Sequence, residues 1–354
     1  MSRMLGNMNK LITIIVIFSA LCLLSPPSIA DIPAGHQEDV TSKVYDVEGN
    51  YIFSTARRLT PGDRYLSQDN REYVINEVDD SRATAEFVGV VDLNKAAGAS
   101  GKSPLPLVTE KPKLVAIYHT HNGESYPPGP ENTEGKGDIH HIGSRLAEAL
   151  EDKGIKALHS ENMHLPHDGA AYTRSRGTAV QLARRQPDII LDLHRDAIPD
   201  KRDYLTTING KQVTQVRLVI GRQNPNRETN DQFARNLKAI SDKKYPGLIK
   251  DIFYGSGEYN QSISPRALLM EFGTHTNSEN EALRAADFTA LTLADLLYSR
   301  ETGQPREDSK AWSSIFWILL FTGTGILGFL YMNEGNWQGV VARIKKFFGR
   351  ELID

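Results

Sequence analysis

The 354-residue chain has a single cysteine, Cys22, and it lies inside an apolar N-terminal run. A disulfide framework is thereby excluded, and any zinc site must be built from His, Glu or Asp. Neither sign of charge dominates, since 41 Lys+Arg stand against 44 Asp+Glu for a net charge of −3. That balance supplies no basic face, so no nucleic-acid partner is expected. Apolar residues are not scarce. A content of 40% hydrophobic and 24% charged excludes wholesale disorder and suits one full-sized core plus a smaller module.

Two uncharged runs set the compartment. Residues 1–30 have the layout of a secretory signal, with basic Arg3 and Lys10, an uncharged Leu11–Leu24, and small residues at Ser28 and Ala30. A retained N-terminal anchor is the alternative. The second run, Trp312–Met332, carries no charge and as a helix would reach about 30 Å, the thickness of a bilayer core. Trp312, Trp317, Tyr331 and Trp337 fit interfacial positions, and Arg343, Lys345, Lys346 and Arg350 follow on the side that the positive-inside rule assigns to the cytoplasm. The expectation is a single-pass membrane protein with an extracytoplasmic body, a transmembrane helix at 312–332 and a basic cytoplasmic tail at 333–354. Residues 337–350 would form a short amphipathic helix on the inner leaflet.

Between these runs, residues 31–93 read as a small β-rich module. Lys43–Tyr45 and Tyr51–Ser54 flank a polar turn containing Gly49, and Phe87–Val91 is a further short strand. Residues 94–112 are rich in Pro, Gly and Ser and read as a linker. From Lys113 strands and helices alternate. Strands are expected at 113–118, 155–158, 188–193, 213–220 and 266–272, and helices at 141–153, 173–186, 227–241 and 278–299. Ser278 and Glu281 form a capping box at the last helix. The pattern predicts a catalytic domain at 113–300 with an α/β three-layer sandwich and a mostly parallel sheet, whose sites form beyond the carboxyl ends of the strands.

Three of those strands run into polar residues of one chemical character. The first leads into His119, His121 and Glu124, the third into His194, Arg195 and Asp196, and the last into Glu271. Gathered on one sheet rim, they supply the inventory of a catalytic zinc site, with three protein ligands and a separate carboxylate as base. His121-x-x-Glu124 brings imidazole and carboxylate to one ion on a tight turn, and His194 supplies the third ligand.

The stretches YHTHNGESY (118–126), IGSRLAEALEDKGI (142–155), YTRSRGTAV (172–180) and DIILDLHRDA (188–197) resemble the stage II sporulation protein P family over about residues 113–298. That resemblance implies a zinc amidase-like fold and an extracytoplasmic peptidoglycan hydrolase that cleaves the N-acetylmuramoyl-L-alanine amide bond; some members also cut glycan strands. It implies Zn²⁺ held by His121 and His194, and Glu271, before the Phe272-Gly273 pair, as the catalytic glutamate. For the remaining ligand Glu124 is favoured over His140, and His119 is expected outside the ligand set. The C-terminal span departs from the N-terminal anchor expected of the family. Peptidoglycan, the membrane and wall-remodelling proteins are the implied partners.

In the mechanism this suggests, zinc activates water and polarises the amide carbonyl, and Glu271 takes the water proton and delivers it to the leaving amine. Arg195 either stabilises the oxyanion or pairs with Asp196. Arg174, Arg176 and Asn277 are candidates for substrate binding, the arginines through carboxylate contacts. His159, His164 and His167 read as a solvated loop, with a second metal site as the alternative. Two other functions fit the same residues, a zinc carboxypeptidase or endopeptidase acting on stem peptides and a non-catalytic peptidoglycan-binding scaffold.

Overall fold

The computed structural model describes residues 41–93, 112–298 and 309–348. The 1–30 leader, and the linker expected at 94–112 apart from its last residue, lie outside the described residues. The chain divides into two compact units, one ending at Tyr298 and one beginning at Ser299.

The first unit is built on an eleven-stranded sheet. Its strands are β1 (Ser42–Asp46), β2 (Tyr51–Thr55), β3 (Arg64–Leu66), β4 (Arg71–Asp79), β5 (Arg82–Val90), β6 (Leu114–Tyr118), β7 (Lys156–His159), β8 (Ile189–Asp196), β11 (Val216–Gly221), β12 (Ile249–Gly255) and β13 (Ala267–Thr274). They are ordered β2-β1-β5-β4-β3-β12-β11-β13-β8-β6-β7, while β9 (Leu205–Ile208) and β10 (Lys211–Thr214) form a separate hairpin. The expected mostly parallel sheet holds only for part of it. From β12 to β7 the pairings are parallel except β11 with β13, but β3, β4 and β12 pair antiparallel and make the whole sheet mixed. Nor do the first five strands stand apart. β3 pairs with β12 through Tyr65 and Phe253, so residues 42–90 extend the same sheet.

Alternation along the strands builds the layers. Val115, Ile117, Leu191, Leu193, Leu218, Ile220, Leu268 and Met270 enter one core with α1 (Ile139–Glu151), α3 (Arg227–Lys244) and α4 (Glu279–Tyr298). The intervening residues face the other way. Ala116 and Ile190 pack with Ala179 of α2 (Ala171–Ala183), and Val219, Phe253 and Leu269 pack with Val44, Phe53 and Tyr65 of the first strands. The capping box opens α4 as expected, with Ser278 N donating to Glu281 Oε2 at 3.0 Å and Glu281 N to Ser278 Oγ at 3.4 Å.

Two sequence expectations need correction here. The strand expected at 213–220 is broken at Gln215, whose N–H donates to Tyr204 O at 2.6 Å and divides β10 from β11. The strand β12 was not expected at all. Lys250 and Asp251 interrupt its apolar pattern, yet Asp251 is fully buried because Arg217 of β11 pairs with it at 2.8 Å.

The second unit contains α5 (Ser309–Glu334) and α6 (Trp337–Phe348). The uncharged Trp312–Met332 run falls entirely within α5. Several side chains of α5 lie outside the described residues. Among the described residues no helix is long and apolar enough to cross a membrane, so the expected span stands as a proposal.

Candidate metal centre

The second face of β8 carries Ile190, Asp192, His194 and Asp196 in alternation, the last three buried polar groups. His121 and Glu124 reach the same place from the loop after β6. That loop is tightly folded, with Ile139 N donating to Glu124 O at 3.0 Å and Gly137 N to Asn122 O at 2.7 Å. Gly137 is required by close approach. A Cβ there would lie 2.3 Å from both the Gly123 and Glu124 carbonyl oxygens. Tyr126 anchors the loop by donating its hydroxyl to Phe272 O at 2.7 Å.

The result is a fully buried group of three donors, His121, Glu124 and His194. Glu124 Oε1 lies 3.3 Å from His121 Nδ1 and 3.2 Å from His194 Nδ1. Tetrahedral zinc bonds of about 2.0–2.1 Å set ligand atoms about 3.3 Å apart, so the donor set fits that ion in type and spacing. The outer contacts also suit ligation. His194 Nε2 sits 3.1 Å from Asp192 Oδ1, the carboxylate-to-histidine arrangement that orients metal-binding imidazoles. Asp192 in turn accepts from Thr120 N at 2.8 Å and the Thr120 hydroxyl at 2.6 Å. Glu124 Oε2 accepts from Arg195 N at 2.7 Å.

The electrostatics are those of a cation slot. Burial holds His121 neutral, lowering it to about 3 although Glu124 pulls the other way. Burial alone would also lower His194, but Asp192 and Glu124 together outweigh it and push the imidazole up to about 10. Burial raises Glu124, and the facing His194 and His121 reverse that and hold its carboxyl well below the usual range. Without an ion, the two flanking carboxylates are what favour positive charge at His194.

Glu271 of β13 is the register partner of His194 on β8, so the two side chains share one face on adjacent strands. It is fully buried, and Arg57, from the segment after β2, meets its Oε1 through Nε and Nη2, both at 2.7 Å. The single Tyr204 hydroxyl proton is shared between Asp196 Oδ2 at 2.9 Å and Glu271 Oε2 at 3.2 Å. Burial raises the Glu271 carboxyl, with Arg57 and Arg217 restraining the rise and Asp196 adding to it.

The remaining sequence candidates fall elsewhere. Of the two roles open to Arg195, pairing with Asp196 is not the one observed, because Asp196 pairs with Arg217 at 2.9 Å and Arg195 Nη2 lies 3.6 Å from Glu131 Oε2. His140 does not join His121, being placed in a separate group with His119 and His159. Arg174 is tied to its own loop through His164 O at 2.7 Å and Asp168. Arg176 pairs with Glu258 at 3.2 Å. Asn277 is fully buried, its amide accepting from Thr274 N at 2.9 Å and donating to Lys201 O at 3.3 Å. All three have local partners, and their role in substrate binding stands as a proposal.

The histidine loop is not solvated either. His164 is buried and bonded to His119 O at 2.8 Å and Thr178 Oγ1 at 2.9 Å, and the His167 ring lies 3.9 Å from that of His121. Arg57 and Tyr172 were missed. Tyr172 opens α2 with its ring 5.4 Å from His121 and 6.3 Å from His194; its place in the YTRSRGTAV stretch was the available signal. Arg57 had none nearby.

A family model for Stage II sporulation protein P (SpoIIP) matches residues 56–294, an interval that begins beside Arg57 and takes in every residue of the buried group. The chain belongs to the SpoIIP family. It is 33% identical over 221 residues to the Stage II sporulation protein P of Bacillus subtilis (strain 168), which covers 56% of this chain and 55% of that protein. The chain thus spans about half the length of the curated SpoIIP relative it matches. Among solved structures it is similar to an N-acetylmuramoyl-L-alanine amidase from Clostridium difficile 630, at 15% identity over 54% of this chain and 99% of that one, with a TM-score of 0.35. A putative N-acetylmuramoyl-L-alanine amidase from Neisseria meningitidis matches at 13% identity over 54% and 96%, with a TM-score of 0.31.

Proposed function

We propose that the chain is a zinc-dependent peptidoglycan hydrolase that cleaves the amide between the N-acetylmuramoyl lactyl group and L-alanine. One observation carries this reading, the buried His121–Glu124–His194 group with Glu271 in register beside His194, in a chain of the SpoIIP family. His121, Glu124 and His194 would hold the ion. When bound, zinc supplies a water of lowered pKa and polarises a carbonyl. Glu271 accepts the water proton and returns it to the leaving amine. Arg57 fixes that carboxylate in one orientation, and Tyr204 holds its second oxygen. Arg195 places positive charge beside the group for the developing oxyanion. The Tyr172 and His167 rings pack beside His121, and a site of such low polarity would strengthen each of these interactions.

The body is proposed to be extracytoplasmic and tethered through the uncharged Trp312–Met332 run, a reading carried by its composition and flanking aromatic residues. The basic residues of α6 are consistent with a cytoplasmic end. Wall-remodelling proteins are proposed as partners in sporulation.

The same donor set also suits a peptidase acting on stem peptides, and product analysis separates the two. Full-length protein incubated with purified sacculi is expected to release intact stem peptides with a free L-alanine amine and leave glycan with free lactyl groups. Peptides shortened while still attached to glycan would replace the amidase by the peptidase, and sacculi bound but uncut would leave only a binding scaffold.

A further inference from the structure

We propose that His119, His140 and His159 form a second metal site with a structural role. These residues are not the ligands assigned above, and their grouping does not depend on the proposed reaction. His119 follows β6, His140 lies in the first turn of α1, and His159 ends β7, so three elements converge on one point. One ring nitrogen of each lies within 4.8 Å of the others. His119 and His140 are buried and His159 is partly exposed, which leaves an entry path.

Three features point to an ion rather than to simple packing. First, His119 Nδ1 is 3.1 Å from Leu193 O. That nitrogen must donate to the carbonyl, so Nε2 carries the lone pair, which is the outer-contact pattern of a metal-ligating histidine. Second, His119 Nε2 and His159 Nε2 face each other at 2.8 Å, and His140 Nδ1 is buried with no hydrogen-bond partner. Nitrogens on tetrahedral zinc sit about 3.3 Å apart, so a small opening of the pair admits the ion.

Third, Gly143 stands in the middle of α1, where glycine is unfavourable relative to alanine. A Cβ at this position would lie 2.5 Å from His159 Nε2 and 2.6 Å from His119 Nε2. The helix gives up propensity to leave both ring nitrogens room. Three imidazoles favour zinc or a neighbouring late transition metal over magnesium or calcium. An ion here would clamp β6, α1 and β7 beneath the loop that presents His121 and Glu124.

The test is the metal stoichiometry of the full-length chain, stripped by chelator and reloaded with Zn²⁺, with Co²⁺ absorption as a second readout. All proteins carry His141→Ala, which removes the exposed Asp138–His141–Glu279 group. Two equivalents are expected, falling to one in His121→Ala, to one in His159→Gln, and to none when both are changed. Gly143→Ala is also expected to lose one equivalent while remaining folded by circular dichroism. In the His121→Ala background, added Zn²⁺ should still raise the melting temperature.

A stoichiometry unchanged by both His159→Gln and Gly143→Ala would overturn the second site. A melting temperature that Zn²⁺ does not move in the His121→Ala background would do so too. Failure of the first centre is distinct from this, and would show as a stoichiometry unaffected by His121→Ala.

Discussion

Arg57 and Glu271 are separated by 214 residues of chain, yet Arg57 Nε donates to Glu271 Oε1 at 2.7 Å in the buried interior. The contact joins the segment after β2 to the strand that neighbours His194, while the β3–β12 pairing is what places the first strands in the same sheet. A guanidinium fork fixes both position and charge of a carboxylate. Removing the cation alone should strand a buried anion.

Arg57→Ala is accordingly expected to destabilise the protein by about 3–5 kcal/mol, read from urea unfolding. The double variant Arg57→Met, Glu271→Leu should recover much of that loss, because it removes both charges. A double variant as unstable as Arg57→Ala would mean that packing, not charge, dominates at this contact.

Glu271→Gln is expected to keep its zinc while losing turnover by about 10²- to 10⁴-fold, the usual contribution of a general base. Zinc content and peptide release measured on the same preparation decide this. Turnover within a few-fold of the parent would remove Glu271 from the mechanism.

The loop glycine makes a separate prediction. In Gly137→Ala the new Cβ would meet the Gly123 and Glu124 carbonyls at 2.3 Å, and the backbone carrying Glu124 must shift. Overpacking of this kind costs about 1–3 kcal/mol. Zinc affinity should fall together with the melting temperature, and unchanged affinity would show that the loop tolerates the displacement.

Stability of the metal-free protein should depend on pH in two directions. His194 is raised to about 10 from an unfolded value of about 6.5. Its contribution is present below about pH 6.5 and is lost as pH rises through about 10. His121 is lowered to about 3, so its contribution is present above about pH 6.5 and lost as pH falls toward 3. Bound zinc requires neutral imidazoles, and the loaded protein should lack the alkaline decline. Urea midpoints of the chelated and loaded forms across pH provide the check; a metal-free midpoint that holds steady into the alkaline range would contradict the His194 environment.

How much of this was legible in the sequence depended on whether the signal was local. The apolar run of β8 ending in His194, and the spacing of His121 and Glu124, could be read because strand period and turn chemistry are short-range properties. β12 could not. Its buried Asp251 looks like a loop residue until Arg217 is brought beside it by strand pairing. The same holds for Arg57, whose partner lies at the far end of the catalytic segment. Sequence adjacency leaves open whether Asp196 pairs with Arg195, whereas its partner Arg217 is brought in only by strand pairing. His159 and His164 were read as solvated since nothing local shows that α1 and α2 cover them.

The most direct test of the central claim is peptide release from purified sacculi by the full-length chain, compared before chelation, after chelation and after zinc is restored, with Glu124→Ala beside it. Release of stem peptides that stops with chelation, returns with zinc, and is absent together with one equivalent of metal in Glu124→Ala is the expected result. Release that persists without metal, or a Glu124→Ala protein that keeps both its zinc and its activity, would contradict it.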